Sequence, residues 1–465
     1  MHIVFKILQQ HSHLNASFKL ASMLLAKNYR VTYSGLKEFE KEVLTKGFEY
    51  YLESDAPISP SSNKRPGFFV KLSNRNRGIR RHRQYEKGNA FVQIIDDLNP
   101  DLIVVDSPMV RNAIPIFETG IPFMIFESMV SLDQSPLHPP LCSEIIPKNT
   151  FFNKLLIKLD WQKYYLNLYI INHLFGAGFP PKNSIKKLAK RTNFPVKEID
   201  FNRYFHVGLN NVPEIIASPL EFDFPRKKKS NQYYLGVSVT ENRKEASHDL
   251  KYNNTRLMIE QIVSQNKSCN PEDKVVMIYC SFGSNAGRYE GVAEFYQRLI
   301  DSFKNDTNVQ IFISIGYEVP YHLFKDIPKH IHVFRKVPQV ELLKQMDLMI
   351  THGGMNSITE CIMSEVPMLV YPGFKDIDQV GNACRVQYHK IGLKGDVKKD
   401  SAKLLKSKIN TVLTGASFKA NIQKMKNEML SNDNSDEILT LFDEMLFSKQ
   451  KKQAEYVELV KEEQE

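Results

Sequence analysis

Short apolar runs alternate with stretches of helical spacing in two separate series. The first series places apolar runs at residues 3–8, 31–33, 102–105 and 123–126, with helical stretches at 17–27 and 91–98 among them. The second places runs at 275–280, 309–315, 332–334, 348–350 and 368–371. Runs this short, apolar on consecutive positions, predict strands buried on both faces. Their alternation with helices predicts parallel, doubly wound α/β sheets. The stretch 222–274 is poorer in apolar residues and holds the basic run Arg226, Lys227, Lys228 and Lys229, so a boundary is expected there. The predicted organisation is an N-terminal domain over 1–238, a linker over 239–273, a C-terminal domain over 274–430, and helices with a charged tail over 431–465. Residues 151–185 mix Phe151, Phe152, Leu155, Leu156, Leu159, Trp161, Tyr164 and Tyr165 with Lys154, Lys158 and Lys163. They read as amphipathic helices that either pack on the first sheet or line a pocket.

The richest stretch runs from Thr351 to Gln379. A strand is predicted to end at Ile350, a glycine-bearing turn follows, and helical spacing resumes over 355–363. A helix that begins just after a strand offers free backbone N–H groups and the positive end of its dipole, a seat for a phosphate. Asn356, Ser357 and Glu360 fall on its first turns, and Asp378 and Gln379 follow the next strand at the same sheet edge. Capping alone needs one or two such residues.

This stretch strongly resembles the donor signature of the family 1 glycosyltransferases, which move a sugar from a nucleoside diphosphate to an acceptor. The matching positions are His352, Gly353, Gly354, Asn356, Ser357, Glu360, Pro367, Pro372, Asp378, Gln379, Asn382 and Ala383. Residues 206–225 look like the end of the family's N-terminal domain. Residues 279–284 look like its first donor strand and phosphate-side loop. The resemblance implies the GT-B fold: two Rossmann-like domains facing each other across a cleft, acceptor on the first and nucleotide sugar on the second. It implies that Glu360 binds ribose, that Asp378 and Gln379 bind the transferred sugar, and that Ser281, Gly283 or Ser284 meets a phosphate. His352, Gly354, Asn356 and Ser357 would face the diphosphate, and Val337 and Gln339 the base. Plant members carry a stacking tryptophan where this chain has Lys336. Gln379 points to glucose among the sugars, and some residues of 151–185 would line the acceptor pocket.

Transfer needs a base for the acceptor hydroxyl, and histidine titrates in the right range. His13 follows the first predicted strand, where the family keeps its catalytic histidine, though Ser12 and Ala16 replace the flanking glycine and proline. His11 is a rival, and both could be surface histidines. Asp106 ends the strand 102–105 and is placed to orient His13, or else to cap the next helix. The expected reaction is a single inverting displacement with a UDP-sugar as co-substrate, no cofactor and no metal. Asp376 and Asp378 have D-x-D spacing, but Asp378 is assigned to the sugar.

A length of 465 residues exceeds one ordinary core. The net charge of +10 gathers partly between Lys64 and Lys87, where nine cations face Glu86. That run reads as a solvated loop, an anionic-membrane contact or a site for an acidic acceptor; no nucleic-acid module accompanies it. Five cysteines with no C-x-x-C pair suggest a reducing compartment and no structural zinc. No apolar stretch reaches a membrane span. The expected location is cytoplasmic, with weak association to the inner membrane face in view. Rival readings are a lipid-directed glycosyltransferase at a membrane surface, a nucleotide-sugar epimerase, and an inactive nucleotide-sugar binder.

Overall fold

The structure, a computed structural model, describes residues 1–53, 90–175, 182–238, 250–375 and 377–447. The basic run 64–87, the tail from 449 and Asp376 lie outside the described residues. The chain divides into two compact units, one of residues 1–140, 149–238 and 432–465, the other of 141–148 and 239–431.

The first unit carries an all-parallel sheet of seven strands: β1 (His2–Lys6), β2 (Arg30–Gly35), β3 (Glu49–Leu52), β4 (Leu102–Asp106), β5 (Phe123–Glu127), β8 (Glu214–Ile216) and β9 (Gln232–Tyr234). Their order is β3-β2-β1-β4-β5-β8-β9. β6 (Ile199–Asp200) and β7 (Gly208–Leu209) form a separate antiparallel pair. β4 shows why its run is apolar throughout. Leu102 and Val104 join a core with Leu14, Phe18 and Leu24 of helix His11–Ala26. Ile103 and Val105 join a second core with Val110, Ile116 and Ile185 on the other face. A polar residue on either face would lose a full side chain's burial, about 1.5–3 kcal/mol.

The second unit carries an all-parallel sheet of six strands: β10 (Val276–Ser281), β11 (Val309–Ser314), β12 (Ile331–Phe334), β13 (Leu348–Thr351), β14 (Met368–Val370) and β15 (Gly392–Lys394). Their order is β12-β11-β10-β13-β14-β15. In both sheets the order reverses beside the first strand, and in such sheets ligands bind at the carboxyl ends of the strands flanking that switch.

Two local differences from the sequence reading matter. The helix expected at 17–27 begins at His11, so His13 stands on its first turn instead of in a loop. Nothing between Gln10 and Ser17 breaks a helix, and its start has no side-chain cap to announce it. The stretch 222–274, read as a boundary, contains β9 of the first sheet and helix Leu250–Ser268 of the second unit.

Candidate active site

In the first unit, chemistry gathers at the carboxyl ends of β1, β4 and β5. Asp106 ends β4 and is fully buried. It sits at the start of the short turn Ser107–Met109 but makes no side-chain cap. Its Oδ2 instead accepts from the Leu8 backbone N–H at 2.9 Å and lies 2.7 Å from His13 Nδ1. A carboxylate only accepts, so the proton of a neutral His13 ring resides on Nδ1 and Nε2 holds the lone pair. Ser128 Oγ, just past β5, is 3.1 Å from the same Nδ1. His11, the rival, points elsewhere. Its ring is mostly exposed and its Nδ1 is 2.7 Å from Glu42.

Two groups beside this pair had no signal in the sequence pattern. Burial drives the His206 imidazole down to about 3, against the pull of Asp106, while His13 and Arg203 reinforce the drop. His206 is therefore a neutral ring within electrostatic reach of the pair. Glu127 ends β5 and is fully buried, and burial pushes its carboxyl up to about 7. Its Oε1 accepts from Met129 N–H at 2.9 Å. Only spatial pairing of β4 with β5, which sets Phe126 opposite Asp106, reveals Glu127 as a neighbour of the site.

In the second unit, the carboxyl ends of β10, β13 and β14 carry the signature. Gly353 has φ +88°, and a Cβ there would lie 2.6 Å from Val370 Cγ1. Helix Met355–Met363 then starts at Gly354, which has no side chain to cap it. His352 packs against Gly354 and Gly283, where added Cβ atoms would meet the ring at 2.6 and 3.0 Å. Its Nδ1 is buried with no hydrogen-bond partner among the described residues, and burial lowers the imidazole to about 4. Tyr289 lies over it at 5.8 Å.

The remaining predicted donor residues are tied into this edge. Ser281 Oγ accepts from Gly283 N–H at 3.3 Å and so shapes the turn, whereas Ser284 is exposed. Gln339 donates to Glu360 Oε2 at 2.6 Å and to Ser357 Oγ at 3.1 Å, and accepts from Tyr279 OH at 3.2 Å. Val337 is buried beside it and Lys336 is exposed. Asn356 lies on the first turn of helix Met355–Met363. Asn382 Nδ2 donates to Gly353 O at 2.9 Å and to Asp378 Oδ2 at 2.8 Å, joining the two ends of the signature. Gln379 is nearly buried. Its Oε1 accepts from Gly373 N–H (2.8 Å) and Phe374 N–H (3.0 Å), and its Nε2 donates to Tyr289 OH (3.2 Å). Tyr289 therefore touches both His352 and Gln379, a link the linear pattern does not show.

Of residues 151–185, Ile157 and Trp161 are buried, with Trp161 Nε1–H donating to His138 O at 2.7 Å. Phe151, Phe152, Leu155, Leu156 and Leu159 are exposed.

The chain is similar to known proteins over parts of its length. The family described as erythromycin biosynthesis protein CIII-like, C-terminal domain, matches residues 303–445. The uncharacterized UDP-glucosyltransferase YdhE of Bacillus subtilis (strain 168) is 31% identical over 175 residues, covering 38% of this chain and 43% of that protein. The NDP-glycosyltransferase YjiC of Bacillus licheniformis is 40% identical over 79 residues, 17% of this chain and 20% of its own. The chain thus spans less than half the length of these curated relatives. Solved structures align along nearly the whole chain. The glycosyltransferase of kitacinnamycin superposes with a TM-score of 0.65 at 16% identity, covering 96% of this chain and 98% of its own. The calicheamicin glycosyltransferase CalG4 gives 0.63 at 16% identity with the same coverage. The fold is GT-B. The second unit's signature and these partial matches make the chain similar to the family 1 glycosyltransferases over part of its length.

Proposed function

We propose that this chain transfers a sugar, with glucose from UDP-glucose as the first choice, to a hydroxyl of a small apolar acceptor, with inversion and without a metal. The observation that carries the reading is the 2.7 Å bond between His13 Nδ1 and Asp106 Oδ2, in a chain that also bears an intact donor signature. The bond leaves Nε2 as the basic nitrogen. It takes the acceptor's proton as the acceptor oxygen attacks the anomeric carbon, and the bond from that carbon to the diphosphate oxygen breaks with its electron pair leaving on the diphosphate. Asp106 stabilises the resulting imidazolium.

The uncapped helix start at Gly354 offers N–H groups and its dipole to the leaving diphosphate. His352 is neutral at working pH without ligand, and a bound diphosphate would draw a proton onto it. Glu360, Asp378 and Gln379 take the ribose and sugar roles that the resemblance gives them. Ser284, Asn356 and Ser357 flank the phosphates. The names of YdhE and YjiC supply the donor class. Two related structures, spinosyn rhamnosyltransferase SpnG and VinC, hold thymidine diphosphates, so the base is tested alongside the sugar. None of the five cysteines forms a disulfide among the described residues, which supports placing the work in the reducing cytoplasm.

The test is a purified chain incubated with UDP-glucose or TDP-glucose and a panel of phenols, polyketides, sterols and lipids. Nucleotide release that requires an acceptor and persists in EDTA supports the reading. An isomerised nucleotide sugar, binding without turnover, or activity lost to EDTA and restored by manganese overturns it.

A further inference from the structure

We propose that helix Phe151–Phe175 is a docking surface for a lipid bilayer bearing anionic headgroups. The inference concerns the surface of the first unit and does not depend on the transfer chemistry.

This helix is apolar on two opposite faces. At about 100° per residue, Ile157, Trp161 and Leu168 share one side. Ile157 and Trp161 are buried, and Trp161 packs on Tyr164 and Tyr204. Roughly opposite lie Phe152, Leu155, Leu159, Leu166 and Ile170, all exposed. Phe151 and Phe152 open the stripe at 75% and 77% exposure. A helix apolar all round is normally buried all round. Here one face is buried and the other meets solvent, so the outer stripe calls for an apolar occupant.

Charge decides which occupant. Lys154, Lys158 and Lys163 flank or interrupt the stripe, and Asp160 is the only carboxylate on the helix. Lys182 Nζ stands 5.7 Å over the Tyr165 ring, which sets helix Lys182–Arg191 beside this one. That second helix adds Lys182, Lys186, Lys187, Lys190 and Arg191, all exposed, with no acidic residue. Eight cations against one carboxylate would repel a second copy of the same face and suit an anionic one. Exposed phenylalanine and leucine edged by lysine is the pattern of a helix lying in the plane of a membrane interface. Among the described residues no helix is long and apolar enough to cross a membrane, so the helix would lie on the bilayer and not span it.

The full chain is sedimented with phosphatidylcholine vesicles, with and without phosphatidylglycerol, at low and high salt. Co-sedimentation is expected with phosphatidylglycerol at low salt, weakening as salt rises. Phe152→Ser/Leu159→Ser/Leu166→Ser and, separately, Lys158→Glu/Lys163→Glu should each bind at least roughly tenfold more weakly, with melting temperatures near the parent's. The charge pair keeps the question decidable should the apolar triple fail to fold. The proposal is overturned if the parent ignores anionic vesicles, or if both folded variants bind like the parent. A parent dimer that the triple variant loses would assign the face to a second copy. A vesicle-free loss of turnover on a soluble acceptor would assign it to acceptor binding. Vesicle binding without any sugar transfer would sink the proposed function and leave this surface standing.

Discussion

Asp106 Oδ2 holds His13 Nδ1 at 2.7 Å while taking the Leu8 N–H at 2.9 Å. The carboxylate thus fixes both the ring and the turn that delivers it. Asp106→Asn keeps the shape but lets an amide donate to Nδ1, which favours the tautomer with its proton on Nε2. Turnover should fall by roughly 10²–10⁴. His13→Ala should fall as far, and the double variant little further, because the two act as one unit. His11→Ala, removing an exposed ring paired with Glu42, should leave turnover near parental. Rates of acceptor-dependent UDP release check all four.

Glu127 makes the first unit lose stability as pH rises from about 4.5 to 7. Its carboxyl titrates near 4.5 when unfolded and at about 7 in the fold, because burial disfavours the charge. The folded chain therefore retains this proton over a range where the unfolded chain loses it. The stabilisation is complete below pH 4.5 and is lost as pH rises through 7. Glu127→Gln cannot ionise and should escape that loss, on the order of 3 kcal/mol by pH 8. Denaturant melts of parent and variant should differ by a small part of this at pH 5 and by nearly all of it at pH 8.

Gln379 spends its oxygen on two backbone N–H groups and one amide hydrogen on Tyr289. It holds the chain at Gly373 and Phe374 whatever it does for a sugar. Gln379→Ala should speed amide exchange at those two positions and raise KM for the donor. Gln379→Glu keeps the acceptor and should preserve their protection better. A residue that only read the sugar would leave exchange at Gly373 unchanged.

Gly283 is required twice over. Its φ is +72°, and a Cβ would come within 3.0 Å of His352 Cε1. Gly283→Ala should cost about 1–3 kcal/mol in denaturant melts and weaken UDP binding measured by calorimetry. His352 also shapes acid stability. Its folded imidazole sits at about 4 against 6.5 unfolded. The stabilisation it gives is present above pH 6.5 and fades as pH falls through 4. His352→Asn should flatten that acid limb.

The central strands were legible because burial on both faces leaves a run such as Leu102–Asp106 apolar up to its acidic last residue. β8, β9 and β15 were not. Each has three residues, and Glu214 and Gln232 put polar side chains inside the first sheet. Those side chains are paired internally: Arg203 donates to Glu214 at 2.6 Å, and Gln232 donates to Asp133 at 2.7 Å and to Glu214 at 2.9 Å. Such pairing joins residues far apart in sequence, so no local pattern shows it. The donor signature was readable for the opposite reason, since its residues cluster within about one strand–helix–strand unit. Tyr289, Glu127 and His206 enter the two sites from elsewhere and carry no local mark.

The chain leaves the first unit after Ser238 and returns to it at Asn432. Ile438 and Phe442 are fully buried in that unit's core, and Lys19 pairs with Asp433 at 3.6 Å. Neither half can then be cut out as one uninterrupted piece of gene. A fragment ending near residue 238 lacks part of its own interior, and a stop codon at 432 injures the fold that begins at residue 1.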